Sequence, residues 1–543
     1  MRFLSFLPLA LLFASPGTAQ DTAPSARAPK PKLVVVISID QFSADLFAQY
    51  RNRFTGGFAR LLDGAVFPSG YQSHSATETC PGHSTIMTGD RPARTGIVAN
   101  EWYDFAGARP GEVYCMEDER QGTYKDYVAS DLHLRVPTLG ERMKDADPAV
   151  RTVSVAGKDR AAVLMGGHKI DELWFWRDGK GFISYAGRAV PASVARANSV
   201  AWSAIDKPGA AFAEPAWCKT IDRPILANGR TVGAGRFERA AKAEPAWKAS
   251  PVFDSAIFDL ATSMVRDMRL GRGRSTDILT IGASATDYVG HTFGTEGSEM
   301  CIQLANLDRT LGKFFAMLDA TGVDYVVALT ADHGGNDIPE RERERGVPGA
   351  ARVATALLPR VVGTAIAGDF GLKGQLLYGV VNGDIWIDPA LSPADRTRVR
   401  DEAARRYRAS PQVAAVFTHD ELVAAPLPAG PPETWSLIQR ARASFVPERS
   451  GDLLVFLKPR ITAITVKNDP TAAIATHGSI WDYDRRVPIL FWRRGMKGFE
   501  QPLSVETVDI APTLAGLLGF PLAPGAVDGR CLDLDNGPGS TCR

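Results

Sequence analysis

The chain has 543 residues, enough for a large core in several domains or in one large domain with insertions. Hydrophobic residues make up 45% of it and charged residues 23%, an ordinary composition for a globular protein. The formal net charge is +1 and no long run carries one sign, which argues against a dedicated nucleic-acid-binding protein.

The N-terminus has the pattern of a secretory signal peptide. Arg2 precedes the apolar run Phe3 to Ala14, and Gly17-Thr18-Ala19 supplies small residues before a cleavage point. The apolar run is too short for a permanent membrane anchor. We therefore predict a signal peptide over residues 1–19 and a linker rich in Ala, Pro and Ser over 20–31. The mature protein is expected to be exported, periplasmic or extracellular, without a membrane-spanning segment.

Three continuous apolar runs rich in β-branched residues predict buried parallel strands. The runs are Lys32–Asp40, Asp277–Gly282 and Tyr325–Ala331. Between the last two, Cys301–Leu318 has the apolar spacing of a core helix. This order of strand, helix and strand predicts an α/β fold with a mostly parallel central sheet flanked by helices.

The C-terminal part predicts two more core elements. Val487–Trp492 is interpreted as a strand, and Val505–Leu518 as a helix that Gly519 ends. Two long blocks, at about 100–250 and 340–475, carry mixed signals. We interpret them as insertions in a single domain spanning residues 32–543, where they form cap segments over the site.

The six cysteines are expected to form disulfide bonds, because an even number in an exported chain favours pairing. Zinc binding by cysteine is the alternative, but the chain has no Cys-x-x-Cys pair. Cys531 and Cys542 are close in a tail that contains Gly and Pro, and are expected to pair. Spacing does not fix the other connections. The simplest completion joins Cys80 to Cys115 and Cys218 to Cys301.

Acidic residues and histidines follow the predicted strands. Asp40 ends the first strand, and the others occur in three short motifs. Sites in parallel sheets form at the carboxyl ends of strands, and imidazole with carboxylate is a usual zinc donor set. Each motif alone is weak, but together they supply enough ligands for two ions. The motifs are Asp287-Tyr-Val-Gly-His291, Asp332-His333-Gly-Gly and Thr476-His477-Gly.

The segment Thr77-Glu-Thr79-Cys-Pro-Gly-His83 predicts the start of a helix. Pro81 suits the first helical turn, and Thr79 suits a position at or just before that turn. On this segment alone, an N-cap threonine is the favoured interpretation. The functional alternative is a nucleophile at a helix N-terminus, where the dipole and free N–H groups favour phosphate. Its hydroxyl would need a metal or a base to lower its pKa.

Taken together, the motifs resemble the alkaline phosphatase superfamily. Within it the chain is similar to the bacterial secreted threonine-nucleophile alkaline phosphatases of the Sphingomonas type, which are related to nucleotide pyrophosphatase/phosphodiesterases. The matching segments follow the family's order and span most of the mature chain. They are Ser38-Ile-Asp40, Thr77 to His83, Asn100, Gly157-Lys158-Asp-Arg160, Asp287 to His291, Ala331-Asp-His333-Gly-Gly, Thr476-His477-Gly and Val508-Asp-Ile-Ala-Pro-Thr-Leu.

The resemblance implies an alkaline-phosphatase-like catalytic domain that holds two zinc ions per chain. It also implies that Thr79 attacks the phosphate ester and becomes a phosphothreonine. Two ions a few ångströms apart can clamp the attacking and leaving oxygens of an in-line displacement. The implied ligands are Asp287, His291 and His477 for one ion, and Asp40, Asp332, His333 and Thr79 for the other.

The resemblance further implies that Asn100, Lys158 and Arg160 bind the phosphoryl group. From spacing alone, Lys158 and Arg160 would be interpreted as solvated surface cations, and Asn100 as a turn residue. An arginine can direct two N–H groups at phosphoryl oxygens, and a lysine adds a point charge. Such cations matter most for a monoester dianion, which carries more charge than a diester.

The leading hypothesis is therefore a zinc-dependent alkaline phosphatase that acts on small-molecule phosphate monoesters. One alternative is a phosphodiesterase or nucleotide pyrophosphatase on the same two-zinc core. Another is an exported binding protein without activity, which predicts degraded ligands, whereas all seven candidate ligands are present. The sequence leaves the physiological substrate, the extent of diesterase activity and the oligomeric state open.

The other histidines and the acidic tail carry less weight. His83 is expected to have a local structural role, and four further histidines are interpreted as ordinary residues. The tail Asp533-Leu-Asp-Asn could bind calcium, but a plain turn is the favoured interpretation. The four ordinary histidines are His74, His133, His168 and His419.

Overall fold

A computed structural model of the chain describes residues 29–467, 469 and 471–542. The predicted signal peptide over 1–19, and most of the predicted linker over 20–31, lie outside the described residues. Among the helices that are described, none is long and apolar enough to cross a membrane.

A ten-stranded sheet forms the centre of the molecule. All of its strands run in one direction except Gly181–Ile183 and Arg486–Arg493, which are antiparallel to their neighbours. The prediction of a mostly parallel sheet is thus confirmed. In spatial order the strands are Phe499–Glu500, Ala65–Tyr71, Arg486–Arg493, Tyr325–Thr330, Leu33–Ile39, Asp277–Ala283, Thr152–Ala156, Glu172–Arg177 and Gly181–Ile183, with Val505–Glu506 also paired to Ala65–Tyr71.

The three predicted apolar strands lie side by side at the centre of this sheet. Leu33–Ile39 is the middle one, and its Leu33 pairs in register with both Asp277 and Tyr325. Side chains of the middle strand alternate between two hydrophobic clusters, one on each face of the sheet. Burial on both faces explains the continuous apolar runs in the sequence, and the shared register brings the carboxyl ends of the three strands to one level.

Helices cover both faces of the central sheet, as predicted. The expected helix Cys301–Leu318 is longer than the apolar spacing indicated and covers Ser298–Thr321. The α-helices outside the second sheet described below are Ala44–Tyr50, Gly57–Leu62, Thr79–Thr88, Pro92–Thr95, Leu139–Ala146, Asp159–Gly166, Ala192–Ile205, Glu244–Lys248, Pro251–Asp267, Ala285–Phe293, Ser298–Thr321, Pro339–Glu344, Asp482–Arg485 and Ile510–Leu518.

A second, antiparallel sheet has its own hydrophobic cluster. Its strands, in spatial order, are Leu377–Gly379, Gly383–Ile387, Leu453–Leu457 and Val413–Thr418. The helices of the same part of the chain are Pro359–Phe370, Pro393–Ala409, His419–Ala424 and Leu437–Arg442. Four short strand pairs complete the described structure: Glu101–Asp104 with Gly111–Tyr114, Glu117–Gly122 with Tyr127–Ala129, Ile225–Ala227 with Arg230–Val232, and Ala351–Arg352 with Ile461–Thr462.

The structure differs from the sequence interpretation in two places. The predicted helix Val505–Leu518 begins only at Ile510, because Val505–Glu506 pairs with the sheet and Thr507–Asp509 forms a 3-10 turn. Asp509 accepts a hydrogen bond from the backbone N–H of Glu506, which holds that turn. The helix ends at Gly519 in the left-handed conformation, as predicted. The second difference concerns the 100–250 block, which the sequence pattern suggested to be an insertion. Two central strands, Thr152–Ala156 and Glu172–Arg177, lie inside it, so this part of the block belongs to the central sheet.

All six cysteines are paired, and the three predicted pairs are confirmed. The pairs are Cys80–Cys115, Cys218–Cys301 and Cys531–Cys542. The first matters most for the site, because Cys80 directly follows Thr79 and thus ties the start of its helix to the hairpin Glu101–Tyr114.

Candidate active site

Five of the predicted site residues lie at the carboxyl ends of four adjacent central strands. Asp40 directly follows Leu33–Ile39, and Asp332 and His333 follow Tyr325–Thr330. Asp287 lies in the first turn of the helix that follows Asp277–Ala283. The fourth strand, Thr152–Ala156, leads to Lys158. Ligand sites in open α/β sheets lie at this edge.

The first acid–histidine group consists of Asp287, His291 and His477, whose donor atoms lie within 4.8 Å of one another. Asp287 and His291 are one helical turn apart and face the same side of their helix. Asp287 Oδ1 is 3.2 Å from His291 Nε2 and 3.5 Å from His477 Nε2. Three nitrogen and oxygen donors thus converge on one point, as in a metal site.

The second group consists of Asp40, Asp332 and His333, which are all buried. His333 Nε2 lies 3.4 Å from Asp40 Oδ1 and 3.4 Å from Asp332 Oδ2. Gln41 adopts a left-handed conformation with φ 66° directly after Asp40, and its backbone N–H donates to Asp332 Oδ1. This sharp turn brings the ends of the two strands together around His333. The rings of His333 and His477 stack with centroids 3.7 Å apart, so the two groups adjoin.

Backbone carbonyl groups fix the tautomer of all three histidines. His291 Nδ1 is 2.8 Å from Ala475 O, His333 Nδ1 is 2.8 Å from Gly334 O, and His477 Nδ1 is 2.9 Å from Thr77 O. A carbonyl oxygen can only accept, so each Nδ1 donates its hydrogen. In the neutral ring, Nε2 is then a free lone pair that faces the carboxylates, which is how histidine binds metal ions.

Three buried carboxylate oxygens at the site have neither a hydrogen-bond donor among the described residues nor an ion-pair contact with Lys158. They face the histidine Nε2 atoms, so lone pairs would oppose lone pairs at 3.2–3.5 Å. Buried carboxylates need a donor or a cation, and a divalent metal ion satisfies the oxygen and the nitrogen together. The donor set therefore fits metal ions in both groups. The three oxygens are Asp40 Oδ1, Asp287 Oδ1 and Asp332 Oδ2.

Burial and neighbouring charges set the protonation of these groups. Burial lowers the pKa of His333 and, more strongly, of His477, which keeps both rings neutral. Burial and the nearby Asp332 carboxylate raise the pKa of Asp40. Although burial alone would raise the pKa of Asp287, His291 and Lys158 lower it well below its usual range.

Lys158 links the two groups. Its Nζ lies 2.6 Å from Asp40 Oδ2 and 2.6 Å from Asp287 Oδ2, and the residue is only 3% exposed. Although burial favours its neutral form, these two carboxylates raise its pKa above the usual range. The side chain is therefore a fixed positive charge inside the site, not the solvated cation that spacing alone would suggest.

Thr79 is the first residue of the helix Thr79–Thr88, with Glu78 at the N-cap position. Its Oγ1 lies 3.5 Å from His333 Nε2, so the hydroxyl adjoins the second group. Gly82 permits this approach, because a Cβ there would lie 2.0 Å from Asp332 O. His83 Nδ1 donates to Thr79 O at 2.9 Å and lies 3.2 Å from Asp332 Oδ2, a local role that also involves the site.

Asn100 is held by three hydrogen bonds beside Thr79. Cys80 N–H donates to Asn100 Oδ1 at 2.8 Å, and Cys115 N–H donates to Asn100 O at 2.9 Å. Asn100 N–H donates to Glu78 Oε2 at 2.7 Å. Since the amide oxygen accepts from Cys80, the side-chain Nδ2 is the group left to bind a ligand.

Arg160 binds none of the carboxylates of the two groups. Its Nη1 donates to Tyr114 Oη at 3.2 Å, and Tyr114 Oη donates to Asp159 Oδ1 at 2.7 Å. Tyr127 Oη also donates to Asp159. The two tyrosines thus occupy the carboxylate next to Arg160, and the guanidinium keeps N–H groups for another anion.

The sequence did not reveal the residues that hold Asn100 and Arg160 in place. These are Glu78, Tyr114, Tyr127 and Asp159. Asp159 lies between Lys158 and Arg160 in the matching segment, which is a signal that could have found it. The two tyrosines come from a hairpin and a strand far away in sequence, and only the folded chain brings them to Arg160.

Two metal-competent donor groups beside a hydroxyl at a helix start, at the carboxyl edge of an α/β sheet, define a metal-dependent hydrolase. Residues 34–480 match the family model described as type I phosphodiesterase / nucleotide pyrophosphatase. The chain belongs to this family, which lies in the alkaline phosphatase superfamily.

Several relatives match nearly the whole chain. Alkaline phosphatase PhoK of a Sphingomonas species is 54% identical over 96% of this chain and 94% of its own length. Alkaline phosphatase PhoD of Zymomonas mobilis is 46% identical over 94% of this chain and 89% of its own length. The crystal structure of wild-type alkaline phosphatase PafA superposes with a TM-score of 0.80 at 26% identity, covering 93% of this chain and 99% of that one. The predicted family and fold class are thereby confirmed.

Proposed function

We propose that this protein is an alkaline phosphatase that hydrolyses phosphate monoesters through a phosphothreonine on Thr79. The proposal rests on one observation. The hydroxyl of Thr79, at the start of a helix, lies beside the two adjoining acid–histidine groups, and its Oγ1 is 3.5 Å from His333 Nε2. The names of the relatives at 54% and 46% identity support the activity. The matches cover 94% and 89% of these relatives' own lengths.

The seven predicted ligands would hold two zinc ions. One group is Asp287, His291 and His477, and the other is Asp40, Asp332, His333 and Thr79. Bound there, the ions would supply Lewis acidity that lowers the pKa of the threonine hydroxyl and stabilises charge on the leaving oxygen. Imidazole and carboxylate donors in groups of three are typical of zinc.

The chemical step belongs to Thr79. Its Oγ1 forms a bond to phosphorus while the bond from phosphorus to the ester oxygen breaks and the alcohol leaves. Water then hydrolyses the phosphothreonine, which releases inorganic phosphate and restores the hydroxyl. The N-terminus of the Thr79–Thr88 helix favours the negative charge of the phosphoryl group.

Three residues would hold the phosphoryl oxygens. Asn100 donates through Nδ2, because Cys80 occupies its amide oxygen. Arg160 donates through the N–H groups that Tyr114 leaves free. Lys158, fixed between Asp40 and Asp287, adds a buried positive charge. Two cations suit a monoester dianion better than a diester monoanion.

A phosphodiesterase or nucleotide pyrophosphatase is the second candidate, because the matching family model carries that description. It would use the same Thr79 and the same two acid–histidine groups. The two candidates differ in what they require of Lys158 and Arg160, since a diester offers one fewer charged oxygen to these cations.

The experiment compares kcat/KM for an aryl phosphate monoester and the matched aryl diester, in wild type and in the Lys158→Ala/Arg160→Ala double variant. We expect wild type to prefer the monoester, and the variant to lose about a hundredfold or more on the monoester but little on the diester. A diester preference that the double variant leaves unchanged would establish the second candidate instead.

The proposal extends to processing and architecture. Residues 1–19 are a signal peptide that directs export to the periplasm or the medium, and 20–31 are a linker. Residues 32–543 are one catalytic domain, in which the parts of the blocks at about 100–250 and 340–475 that lie outside the central sheet cover the site. The paired cysteines fit an oxidising compartment.

A further inference from the structure

A cavity of about 100 Å³ lies between the residues before Thr79, the hairpin Glu101–Tyr114 and the second sheet. Its wall contains the immediate sequence neighbours of three proposed site residues. The cavity therefore adjoins the backbone segments that position these site residues. The neighbours are Glu78 beside Thr79, Glu101 beside Asn100, and Gly478 beside His477.

The cavity is strongly acidic. Four carboxylates line it: Glu78, Glu101, Glu112 and Asp384. No lysine or arginine is among the lining residues. Within the described chain, none of the four carboxylates forms an ion pair, in contrast to most other acids near the site. Four carboxylates without an ion pair around one small space favour a cationic occupant.

Asp384 is the most informative of the four. It is only 8% exposed, and Oδ1 accepts from Gly451 N–H at 2.6 Å. Among the described residues, no group donates to its Oδ2. Burial raises the pKa of Asp384 to about 7. With Oδ1 occupied by Gly451, Oδ2 is the oxygen of Asp384 left to face a ligand that donates or carries positive charge.

Aromatic rings complete the wall. Tyr103 and Trp386 line the cavity with centroids 5.4 Å apart, and Tyr378 packs against Tyr103 at 5.3 Å. The faces of such rings attract ammonium groups, and the attraction grows when water is excluded. Carboxylates and aromatic rings together favour an organic ammonium group over a small inorganic cation.

A divalent metal ion fits this cavity less well. A metal site needs at least three donor atoms that converge on one point. Among the described residues, groups of three such atoms within 4.8 Å occur only at Asp287, His291 and His477 and at Asp40, Asp332 and His333. The cavity carboxylates are spread around its wall and do not form such a group.

We propose that this cavity receives the alcohol part of the substrate and selects phosphate monoesters whose alcohol carries an ammonium group. This inference rests on the proposed function. The phosphoryl group lies at Thr79 and Asn100, the ester oxygen leads into the cavity, and the ammonium group contacts Asp384, Glu101 and the ring of Tyr103.

The test uses a pair of substrates that differ only in charge. Phosphocholine carries a quaternary ammonium group, and 3,3-dimethylbutyl phosphate is its neutral carbon isostere. We expect wild-type enzyme to show a kcat/KM about tenfold higher for phosphocholine, the scale of a desolvated ammonium–aromatic contact with a nearby carboxylate. A ratio near one in wild type would overturn the inference.

Variants locate the source of the preference. Asp384→Asn and Glu101→Gln each keep the size of the side chain and remove its charge, and we expect the ratio to fall toward one in the double variant. Glu238→Gln changes an exposed acid outside the cavity and should keep the wild-type ratio. If the double variant kept the full ratio while Tm stayed within a few degrees of wild type, the cavity would not be the origin of the preference.

Turnover of 4-nitrophenyl phosphate by wild type distinguishes a failure of the proposed phosphatase activity from a failure of the ammonium selectivity. If this ester is not hydrolysed, the proposed function fails. If it is hydrolysed while phosphocholine and its isostere react equally, the phosphatase activity stands and only the ammonium selectivity fails.

Discussion

Acid–histidine contacts of two kinds occur in this molecule. At the site, Asp287 Oδ1 faces the Nε2 atoms of His291 and His477 at 3.2 and 3.5 Å, without a hydrogen-bond donor among the described residues. Elsewhere in the molecule, Glu141 and His168 form a satisfied pair. His168 Nδ1 donates to Glu141 Oε2 at 3.0 Å, and its Nε2 donates to Leu134 O at 2.9 Å.

The difference lies in what the second ring nitrogen does. In His168 both nitrogens donate, which requires an imidazolium, and the Glu141 hydrogen bond raises its pKa to about 9. In His477 a carbonyl takes the Nδ1 hydrogen and burial lowers the pKa of the ring, so Nε2 presents a lone pair to a carboxylate. His291 makes the same Nδ1 bond to a carbonyl, but although burial favours its neutral form, the Asp287 carboxylate raises its pKa. An acid–histidine contact is thus a structural ion pair when every nitrogen has an acceptor, and a metal site when lone pairs oppose each other.

The largest expected effect comes from the site. Asp287→Asn removes the charge that His291 and His477 share, so the bound metal, which we propose to be about two zinc ions per chain, should fall to about one. The monoester kcat/KM should fall about a thousandfold, because one side of the two-metal clamp is lost. Elemental analysis and steady-state kinetics measure both quantities. Glu141→Gln is the matched control and should lower stability by about 1 kcal/mol with metal content unchanged. Equal loss of zinc in Asp287→Asn and Glu141→Gln would contradict the distinction between a metal site and a structural ion pair.

A smaller effect is expected at the hydrogen-bond network beside Arg160. Tyr114→Phe removes the acceptor that orients the guanidinium and one donor to Asp159, which is then free to pair with Arg160. We expect monoester kcat/KM to fall about tenfold, with a much smaller change for the diester. Tyr127→Phe is the control, because the Tyr127 hydroxyl donates to Asp159 and not to Arg160, while the phenylalanine ring keeps the packing against Tyr114.

A fall in kcat/KM that is larger for the monoester than for the diester would identify Tyr114 as a residue that positions Arg160. A purely structural role would lower monoester and diester turnover by the same factor. That outcome, or an equal effect of Tyr127→Phe, would contradict the role of Tyr114 in orienting Arg160.

The smallest effect is expected at His168. Because its pKa in the folded protein, about 9, is above the ordinary value of 6.5, its contribution to stability is fully present below pH 6.5. That contribution is lost as the pH rises through 9. His168→Asn should therefore lower Tm by about 2 °C at pH 6, with a smaller difference at pH 10; the modest size reflects a side chain that is 35% exposed. Thermal scans at both pH values measure it, and a larger deficit at pH 10 would show that His168 is not a stabilising cation.

The sequence predicted the central sheet and the acid–histidine groups for the same physical reason. A strand buried on both faces must be continuously apolar, so Leu33–Ile39 and its two neighbours are visible as runs. The polar residues that end such runs are then candidates for a site, which is how Asp40, Asp332 and His333 could be named before the fold was known.

The rest depends on contacts between distant segments. Lys158 looks like a surface cation in sequence, and only its burial between Asp40 and Asp287 distinguishes it. The cavity wall joins Glu101 to Asp384 across nearly three hundred residues, without any local pattern. The late start of the Ile510–Leu518 helix also has a tertiary cause, since Val505–Glu506 is drawn into the sheet.

The Cys80–Cys115 bond separates two parts of one hairpin region: the base, which holds Asn100 in place, and the outer part, which lines the cavity. The bond and the hydrogen bonds at Cys80 and Cys115 pin the base of the Glu101–Tyr114 hairpin, where Asn100 lies. The outer part of the hairpin carries Tyr103 and Glu112 into the cavity wall. Substitutions there can redirect which alcohols the enzyme accepts, while Asn100 keeps its distance from Thr79. Because of this covalent link, the range of accepted alcohols can change while the residues that carry out the reaction keep their positions.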